Sequence, residues 1–431
     1  MSSEYPGPHG KAAQRRETIY WMRVAAQRAL GIYLSVPFCR SKCTYCNFAS
    51  GVYPASQHGR YVDRVVEDMR GARDWAERMG VELPRRVDTV YLGGGTPSLL
   101  EPELVAAVFD AMRAEFDLDA DAEITMECAP GQIADATLEA MARAGVNRVS
   151  LGVQSFVDRE AQVSGRLHSR AIVEQDLRRL RRAGIANLNI DLIGGLAGQT
   201  RGSWEQSLDA LLAAEAPHAS VYMLEVDEES RLGREMLNGG GRYYAELVPS
   251  DEAIAEMYGR AIERLGAARL AQYEISNFST AGFESRHNLR YWERRPYLGL
   301  GLDASSALHA AELSGRKDGP ADLLRAKTTD ELTAYLSGPQ PAETAWLSPA
   351  QQFEEAWFLG LRLNAAVDME ALEREFGAEM VAAAREVVER LAEDELVSAD
   401  GARVRLTARG RLVSNDVFQE FLGLGAGQLA R

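Results

Sequence analysis

Residues 31–48 read Gly-Ile-Tyr-Leu-Ser-Val-Pro-Phe-Cys-Arg-Ser-Lys-Cys-Thr-Tyr-Cys-Asn-Phe, and they hold three of the chain's four cysteines, Cys39, Cys43 and Cys46. Thiolates are the usual ligands of iron–sulfur clusters, and a [4Fe–4S] cube normally takes four of them. Three thiolates on one short loop therefore predict a [4Fe–4S] cluster that keeps one iron open to a small molecule.

Zinc and a disulfide are the two alternatives for these cysteines. A structural zinc site needs four ligands, usually in two close pairs, and the nearest downstream histidine is His58, twelve residues beyond Cys46. A disulfide would leave one thiol over, and we expect no secretory signal. The fourth cysteine, Cys128, is predicted to be a small buried residue and not a further ligand.

The composition is that of a globular protein, with 431 residues, 46% hydrophobic residues and a net charge of −15. The length predicts one barrel-sized unit and a smaller one. The acidic charge argues against a general nucleic-acid binder, which needs a basic surface. Since no run of about 18 apolar residues occurs, we expect no transmembrane helix and a cytoplasmic, reducing location.

Short apolar runs alternate with helical patterns along the first half of the chain. Strands rich in Val, Ile and Leu that alternate with helices predict an α/β fold with a parallel sheet covered by helices. The predicted strands are 32–36, 89–92, 123–127, 148–153, 188–193 and 220–225, with helices at 57–79, 101–116, 135–144, 171–183 and 203–214 between them.

Polar and glycine-rich motifs follow the predicted strand ends. The glycine loop, residues 93–98, reads Gly-Gly-Gly-Thr-Pro-Ser and follows the second strand. Glycines allow backbone N–H groups to approach a ligand closely, and such loops favour anionic groups. Glu127, Gln154, Arg166 and Asp191 lie at or just after the next three strand ends. Because β–α repeats place their chemistry at the carboxyl ends of the strands, these residues predict a polar site there.

The cysteine spacing, the glycine loop and the segment 152–156 (Gly-Val-Gln-Ser-Phe) together resemble the radical S-adenosylmethionine superfamily, in its HemN/HemW branch. The resemblance runs from about residue 30 to the carboxyl terminus. It implies a partial (β/α)6 barrel in which the cluster's open iron binds S-adenosylmethionine, and a cofactor that carries the hard chemistry. By the same resemblance the candidate contacts to S-adenosylmethionine are Tyr33, Tyr45, Gly94, Gly95, Thr96, Glu127, Gln154, Arg166, Asp191 and Met223.

Two features of the sequence distinguish between the coproporphyrinogen-converting members and the haem-chaperone members of this branch. Members that convert coproporphyrinogen carry a further cysteine two residues after the third, where this chain has Phe48. The segment 287–292, His-Asn-Leu-Arg-Tyr-Trp, resembles a signature of the haem-chaperone members. A neutral imidazole can ligate haem iron, so the resemblance makes His287 a candidate haem ligand. The alternative is a structural His287, hydrogen-bonded to the backbone, with Tyr291 and Trp292 packed at the barrel rim.

The resemblance predicts a haem chaperone that passes haem to an acceptor protein such as a respiratory enzyme. The alternatives are an oxygen-independent coproporphyrinogen III dehydrogenase and a radical C-methyltransferase. The expected partners are haem and the acceptor protein, and any peripheral membrane association would arise through that acceptor. We expect the protein to bind no nucleic acid. We expect it to be a monomer or a homodimer.

Four regions are predicted along the chain. Residues 1–30 form a tail and short helix, 31–310 the barrel with its extension, 311–345 a polar connector, and 346–431 a winged-helix-like domain. The extension has a helix at 250–265 and a strand at 272–278. The last region has helices at 349–363, 369–376 and 379–391, a hairpin from about 396 to 406, and a closing helix at 408–421. Acidic residues outnumber basic ones there, which argues against DNA binding.

Overall fold

A computed structural model of the protein describes residues 29–311, 323–338 and 343–424. The tail and short helix predicted for residues 1–30 lie almost entirely outside these ranges. In the described ranges no helix combines the length and the apolar character needed to cross a bilayer.

Six parallel strands form the centre of the molecule, as the sequence predicted. They pair in chain order, so that each is hydrogen-bonded to the next. Their side chains that face the helices are buried Val, Ile and Leu, which is typical of a parallel sheet covered on its outer face. The strands are β1 (Leu30–Val36), β2 (Arg86–Gly94), β3 (Asp117–Cys128), β4 (Arg148–Gln154), β5 (Asn187–Gly194) and β6 (His218–Met223).

Helices cover the outer face of these strands. The first shows why: in α1 (Ser56–Met79), Tyr61, Val65, Met69, Ala72 and Ala76 recur at helical spacing and are all buried. Burying each of the larger side chains contributes about 1.5–3 kcal/mol. The other helices of this part are α2 (Pro102–Glu115), α3 (Asp135–Ala144), α4 (Asp158–Val163), α5 (Arg170–Arg182), α6 (Arg201–Ala213), α7 (Arg231–Leu237) and α8 (Asp251–Ala267). The predicted α/β fold with a partial (β/α)6 barrel is confirmed.

The sheet continues beyond the six strands at both edges. At each edge the strands differ from the elements that the sequence predicted. Beyond β6, the predicted strand 272–278 is a hairpin of β7 (Ala271–Gln272) and β8 (Asn277–Ser279). The buried Glu274 side chain forms the turn, because its Oε1 accepts hydrogen bonds from the backbone of Ser276 and the side chain of Asn277.

At the other edge, a helix α9 (Arg286–Trp292) leads to β9 (Tyr297–Gly301), which pairs in parallel with β1, and to β10 (Ser305–His309), which pairs antiparallel with β9. The predicted connector 311–345 instead supplies β11 (Leu323–Lys327), α10 (Leu332–Leu336) and the start of β12 (Glu343–Leu347). Leu323, Leu324 and Ala326 are buried there. The apolar run is too short to stand out within a polar stretch, and only pairing with β10 and β12 makes it a strand.

The carboxyl-terminal domain has its own apolar core and a small sheet in the order β13-β15-β14. Its elements are α11 (Pro349–Gly360), β13 (Val367–Asp368), α12 (Met369–Phe376), α13 (Ala378–Glu393), β14 (Val397–Asp400), β15 (Arg403–Leu406), α14 (Ala408–Leu412) and α15 (Ser414–Gln419). The winged-helix-like arrangement of helices with an antiparallel hairpin is confirmed. The closing helix 408–421 was predicted as one piece and is two short helices, interrupted at Val413.

Backbone and side-chain contacts fix this domain to the barrel. Ile275 donates to the carbonyl of Arg362 at 3.2 Å, and Asn364 donates to the carbonyl of Tyr273 at 3.0 Å. The guanidinium of Arg362 lies 4.2 Å from the ring centre of Trp292, at the end of α9. The domain therefore packs directly on the 287–292 segment.

Phe421 offers a direct test of the carboxyl-terminal core. Its ring is fully buried and stacks on Trp357, with ring centres 4.5 Å apart. We expect Phe421→Ala to lower the free energy of unfolding of this domain by about 3–5 kcal/mol, because it leaves a cavity. The control is its neighbour Leu422, 52% exposed, whose change to Ala should cost less than about 0.5 kcal/mol. Denaturant titration followed by circular dichroism measures both, and equal losses would contradict the assignment of this core.

Candidate functional site

The three cysteines of residues 31–48 line one side of a cavity of about 300 Å³ at the carboxyl ends of the strands. The loop that carries them begins directly after β1 and closes on itself. Cys39 donates to the carbonyl of Gly51, and Gly51 donates back to the carbonyl of Pro37, both at 2.9 Å. We call residues 37–51 the cluster loop.

The glycine loop holds the start of the cluster loop. Gly95 donates to the carbonyl of Val36 and Thr96 to that of Phe38, each at 2.8 Å. A Cβ atom on residue 95 would lie 2.7 Å from the Val36 oxygen and 2.8 Å from the Phe38 oxygen, which is closer than such atoms can approach. The sequence predicted that these N–H groups meet a ligand; in the structure they are used to place the cysteines.

Two other segments of the barrel hold the middle of the cluster loop. Thr44 donates to the carbonyl of Ser164 at 3.0 Å, and its own carbonyl accepts from Leu232 at 2.8 Å. The side chain of Asn47 donates to Asp227 at 3.0 Å. The conformation of the loop is thus fixed by parts of the chain that are distant in sequence.

Each of the three thiols has a polar neighbour. Arg166 donates from Nη1 to Cys43 Sγ at 3.6 Å, Thr96 donates to Cys39 Sγ at 3.9 Å, and Ser50 Oγ lies 4.0 Å from Cys46 Sγ. Such donors stabilise thiolates, the form that ligates iron. Burial raises the pKa of the Cys39 thiol, so a bound cation would supply the charge that stabilises its thiolate.

Cys128 is buried, as predicted, and it also lines the cavity. Its thiol is buried and donates to the carbonyl of Met126 at 3.8 Å. Burial raises its pKa to about 12. Within the described part of the chain, no three His, Cys, Asp or Glu side chains converge around a single metal ion, whereas in a cube each thiolate binds a different iron.

Two partly buried carboxylates line the inner part of the cavity. Glu127 accepts from the hydroxyl of Tyr91 at 2.8 Å and from the backbone of Gly94 at 3.2 Å. Asp191 accepts from Ser150 at 3.0 Å and from Asn189 at 2.7 Å. Burial raises the pKa of Glu127 to about 7 and also raises that of Asp191. Both carboxylates would therefore favour a ligand that brings positive charge or hydrogen-bond donors.

Arg166 and Gln154 complete the wall beside these carboxylates. Arg166 Nη2 donates to the carbonyl of Gly152, and a Cβ at residue 152 would lie 2.2 Å from that nitrogen, which explains the glycine. Gln154 adopts a positive φ of 68°, rare for a residue with a side chain. Strand β4 ends at Gln154, and the side chains of Gln154 and Arg166 both line the cavity.

Eight of the ten residues predicted to contact S-adenosylmethionine line this one cavity: Tyr45, Gly94, Gly95, Thr96, Glu127, Gln154, Arg166 and Asp191. Tyr33 and Met223 do not. Tyr33 stacks on Tyr91, with ring centres 6.1 Å apart, and Met223 packs against the main core. Tyr222, one residue before Met223, lines the cavity instead, because alternate residues of a strand face opposite sides.

Gln132 and His168 also line the cavity, and sequence reasoning missed them. Gln132 follows the β3 end by four residues, and His168 follows Arg166 by two. Their proximity to residues already singled out was the only available signal. Burial and the nearby charge of Arg166 lower the pKa of His168 to about 4, so its ring is neutral.

Unpartnered polar atoms test whether S-adenosylmethionine fits this cavity. Among the described residues Gln132 Oε1, Gln154 Oε1 and His168 Nε2 are buried and have no hydrogen-bond partner, and the same holds for Arg166 Nε. Each such atom costs about 1–3 kcal/mol unless a ligand pairs it. The ammonium and hydroxyl groups of S-adenosylmethionine are donors and its carboxylate is an acceptor. The residues present therefore fit this ligand, and the three thiols fit a cluster with an open iron.

His287, the candidate haem ligand, lies away from this cavity and has no free ring nitrogen. It is fully buried, with Nδ1 3.0 Å from Thr89 Oγ1 and Nε2 2.9 Å from the hydroxyl of Tyr291. Burial, reinforced by Arg290 and Arg295, lowers the pKa of the ring. Coordination of an iron would require one of these two hydrogen bonds to break. The geometry favours a structural role for His287. Its imidazole ring is hydrogen-bonded to side chains, however, and not to the backbone as that alternative predicted.

Fold and site together are those of a radical S-adenosylmethionine protein. The model of the Radical SAM superfamily matches residues 33–211, and that of the HemN C-terminal domain matches residues 347–413. The crystal structure of coproporphyrinogen III oxidase (HemN) from Escherichia coli, a radical SAM enzyme, matches with a TM-score of 0.77 over 92% of this chain and 90% of its own, at 21% identity. That likeness shows the fold.

Relatives at higher identity define the branch. The heme chaperone HemW of Lactococcus lactis is 31% identical over 92% of this chain and 98% of its own. HemW of Bacillus subtilis is 32% identical over 91% and 98%, and HemW of Mycobacterium tuberculosis 33% identical over 91% and 95%. The chain belongs to the HemW family of the radical SAM superfamily.

Gly95→Ala tests the contact between the two loops. We expect the added methyl group to displace the cluster loop and to remove most of the visible cluster absorbance after reconstitution, because its neighbours are backbone atoms that cannot move aside. Gly59→Ala, on an open face of α1, is the control and should retain the cluster. A full cluster in Gly95→Ala, measured by iron and sulfide content, would contradict the proposed role of this contact.

His287→Ala separates the structural role from haem ligation. We expect the free energy of unfolding to fall by about 2–4 kcal/mol, because the change leaves a cavity and unpairs Thr89 and Tyr291. The haem dissociation constant and Soret band of the folded variant should equal those of the wild type. A shifted Soret band with unchanged stability would instead restore His287 as the ligand.

Proposed function

We propose that this protein is a haem chaperone, which binds haem and passes it to a haem-dependent acceptor protein such as a respiratory enzyme. The observation that carries the proposal is the similarity to HemW chaperones over more than nine-tenths of both chains. The absence of a cysteine at Phe48, where coproporphyrinogen-converting relatives have one, agrees with it.

In this proposal Cys39, Cys43 and Cys46 hold the [4Fe–4S] cluster. Glu127, Gln154, Arg166 and Asp191 would orient S-adenosylmethionine beside it, and a reduced cluster held there would be the electron donor for the sulfonium. The side chains of the protein bind S-adenosylmethionine. Glu127 and Asp191 accept hydrogen bonds from its donor groups, and Arg166 pairs with its carboxylate.

The space behind the site is too small for a porphyrin, so a macrocycle of that size would bind at the open side of the cluster cavity. Beyond Glu127 and Asp191 the interior of the barrel narrows to a polar cavity of about 40 Å³, between Tyr91 and Tyr222. One water molecule occupies roughly 30 Å³, so a porphyrinogen does not fit there. The space between the strands is instead taken by a hydrogen-bonded network in which Asn189 bridges Asp191, Ser220 and His218.

A direct comparison of two activities tests the proposal. We expect the reconstituted wild-type protein to bind haem, and a haem-free acceptor mixed with it to gain the haem Soret band. Incubation with coproporphyrinogen III, S-adenosylmethionine and reductant should give no protoporphyrinogen IX, because Phe48 stands at the position of the further cysteine. A matched sample lacking all three cysteines serves as the cluster-free control.

Formation of protoporphyrinogen IX by the wild-type protein, and not by the control, would overturn the proposal in favour of a radical decarboxylase. A wild-type protein that binds no haem would overturn it as well.

A further inference from the structure

Both ring nitrogens of His287 are hydrogen-bonded within the protein, so the haem of the proposed function needs a different binding site. The mouth of the cluster cavity combines two features. Large apolar side chains are exposed on both sides of it, and cations stand at its rim.

The apolar side chains are Phe48 and Leu167. They line the same cavity and are 61% and 59% exposed. Phe48 belongs to the cluster loop, and Leu167 to the loop that carries Arg166 and His168, so two separate segments present apolar groups at one opening. Exposed apolar groups placed together around a cleft are typical of a binding surface.

The cations are Arg40 and Lys42, both lining the cavity beside Phe48. Lys42 Nζ donates to the carbonyls of Phe48 at 2.5 Å and Ser50 at 2.8 Å. An ammonium group has three N–H donors, so one is left for a ligand, and Arg40 is exposed. The chain has a net charge of −15, so the positive charge of this rim is opposite in sign to that of the protein as a whole.

The carboxylates that line the same cavity are Glu127 and Asp191, and both are partly buried and also line the inner cavity. The site therefore changes from acidic at the bottom to basic and apolar at the mouth. A cationic sulfonium ligand suits the floor. A flat apolar molecule with peripheral carboxylates suits the mouth.

We propose that haem docks across the mouth of the cluster cavity. The porphyrin ring packs on Phe48 and Leu167, and its propionates pair with Arg40 and Lys42. This proposal rests on the haem-chaperone function and adds the place where the ligand sits. Haem in this position covers S-adenosylmethionine in the cavity beneath, so bound haem slows its exchange with solvent.

Rim variants test the docking site by titration of cluster-loaded protein with haemin. We expect Leu167→Ser and the double variant Phe48→Ser/Leu167→Ser to raise the haemin dissociation constant about tenfold or more, the loss usual for a central apolar contact. Arg40→Glu should also raise the haemin dissociation constant, because the new carboxylate would repel the haem propionates. Leu167→Ser lies outside the cluster loop, so its result does not depend on an altered cluster.

Two matched controls carry the same changes elsewhere. Leu237→Ser alters an apolar side chain that is 66% exposed on α7, and Arg143→Glu alters an exposed arginine on α3. Both should bind haemin within twofold of the wild type. Iron and sulfide content, measured for every variant, should match the wild type.

The exchange of S-adenosylmethionine gives a second measurement. Release of labelled S-adenosylmethionine should be at least severalfold slower from haem-loaded protein than from haem-free protein, and Leu167→Ser should remove this difference. Rim variants that bind haemin like the wild type would overturn the docking site while leaving the chaperone function in place. A wild-type protein that binds no haemin would overturn both.

Discussion

The backbone of the glycine loop lies directly against the backbone before Cys39, and the candidate site depends on this contact. Gly95 and Thr96 donate to the carbonyls of Val36 and Phe38. The parallel pairing of β1 with β2 makes the contact possible, since it sets Ser35 opposite Gly93 and Val36 opposite Gly94. A side chain on residue 95 would push the two backbones apart. The register of one strand pair therefore places the cysteines relative to Glu127, which the same loop contacts through Gly94.

The polarity of the cavity changes with depth, and this organises the proposed function. Glu127 and Asp191 are partly buried at the floor, where loss of water raises the pKa of both carboxyl groups. Arg166 lies between them and the thiol of Cys43. The mouth combines exposed Phe48 and Leu167 with Arg40 and Lys42. A cationic ligand below and an anionic, apolar ligand above would each meet a complementary surface.

The 287–292 segment has a different part in the molecule from the one its resemblance suggested. His287 and Arg290 both bond to Thr89 of β2, and Arg290 also pairs with the buried Asp88. At the other end of α9, Trp292 lies under Arg362 of the carboxyl-terminal domain. The segment thus joins the barrel to that domain. Residues of such a motif are chemically able to bind haem, but here both ring nitrogens of His287 are already paired within the protein.

The sequence by itself determined the cofactor class, the six-strand barrel and most of the cavity wall. Closely spaced cysteines, apolar strands and polar residues at strand ends are local features, and β–α repeats bring strand ends to one edge. The tertiary structure alone decided which residue of a pair faces inward, as Tyr222 does in place of Met223. It also decided that residues 323–327 form a strand, since their neighbours β10 and β12 supply the hydrogen bonds. Whether both ring nitrogens of His287 are paired could not be read from the sequence, because Thr89, the partner of Nδ1, is 198 residues away, although Tyr291, the partner of Nε2, is only four residues away.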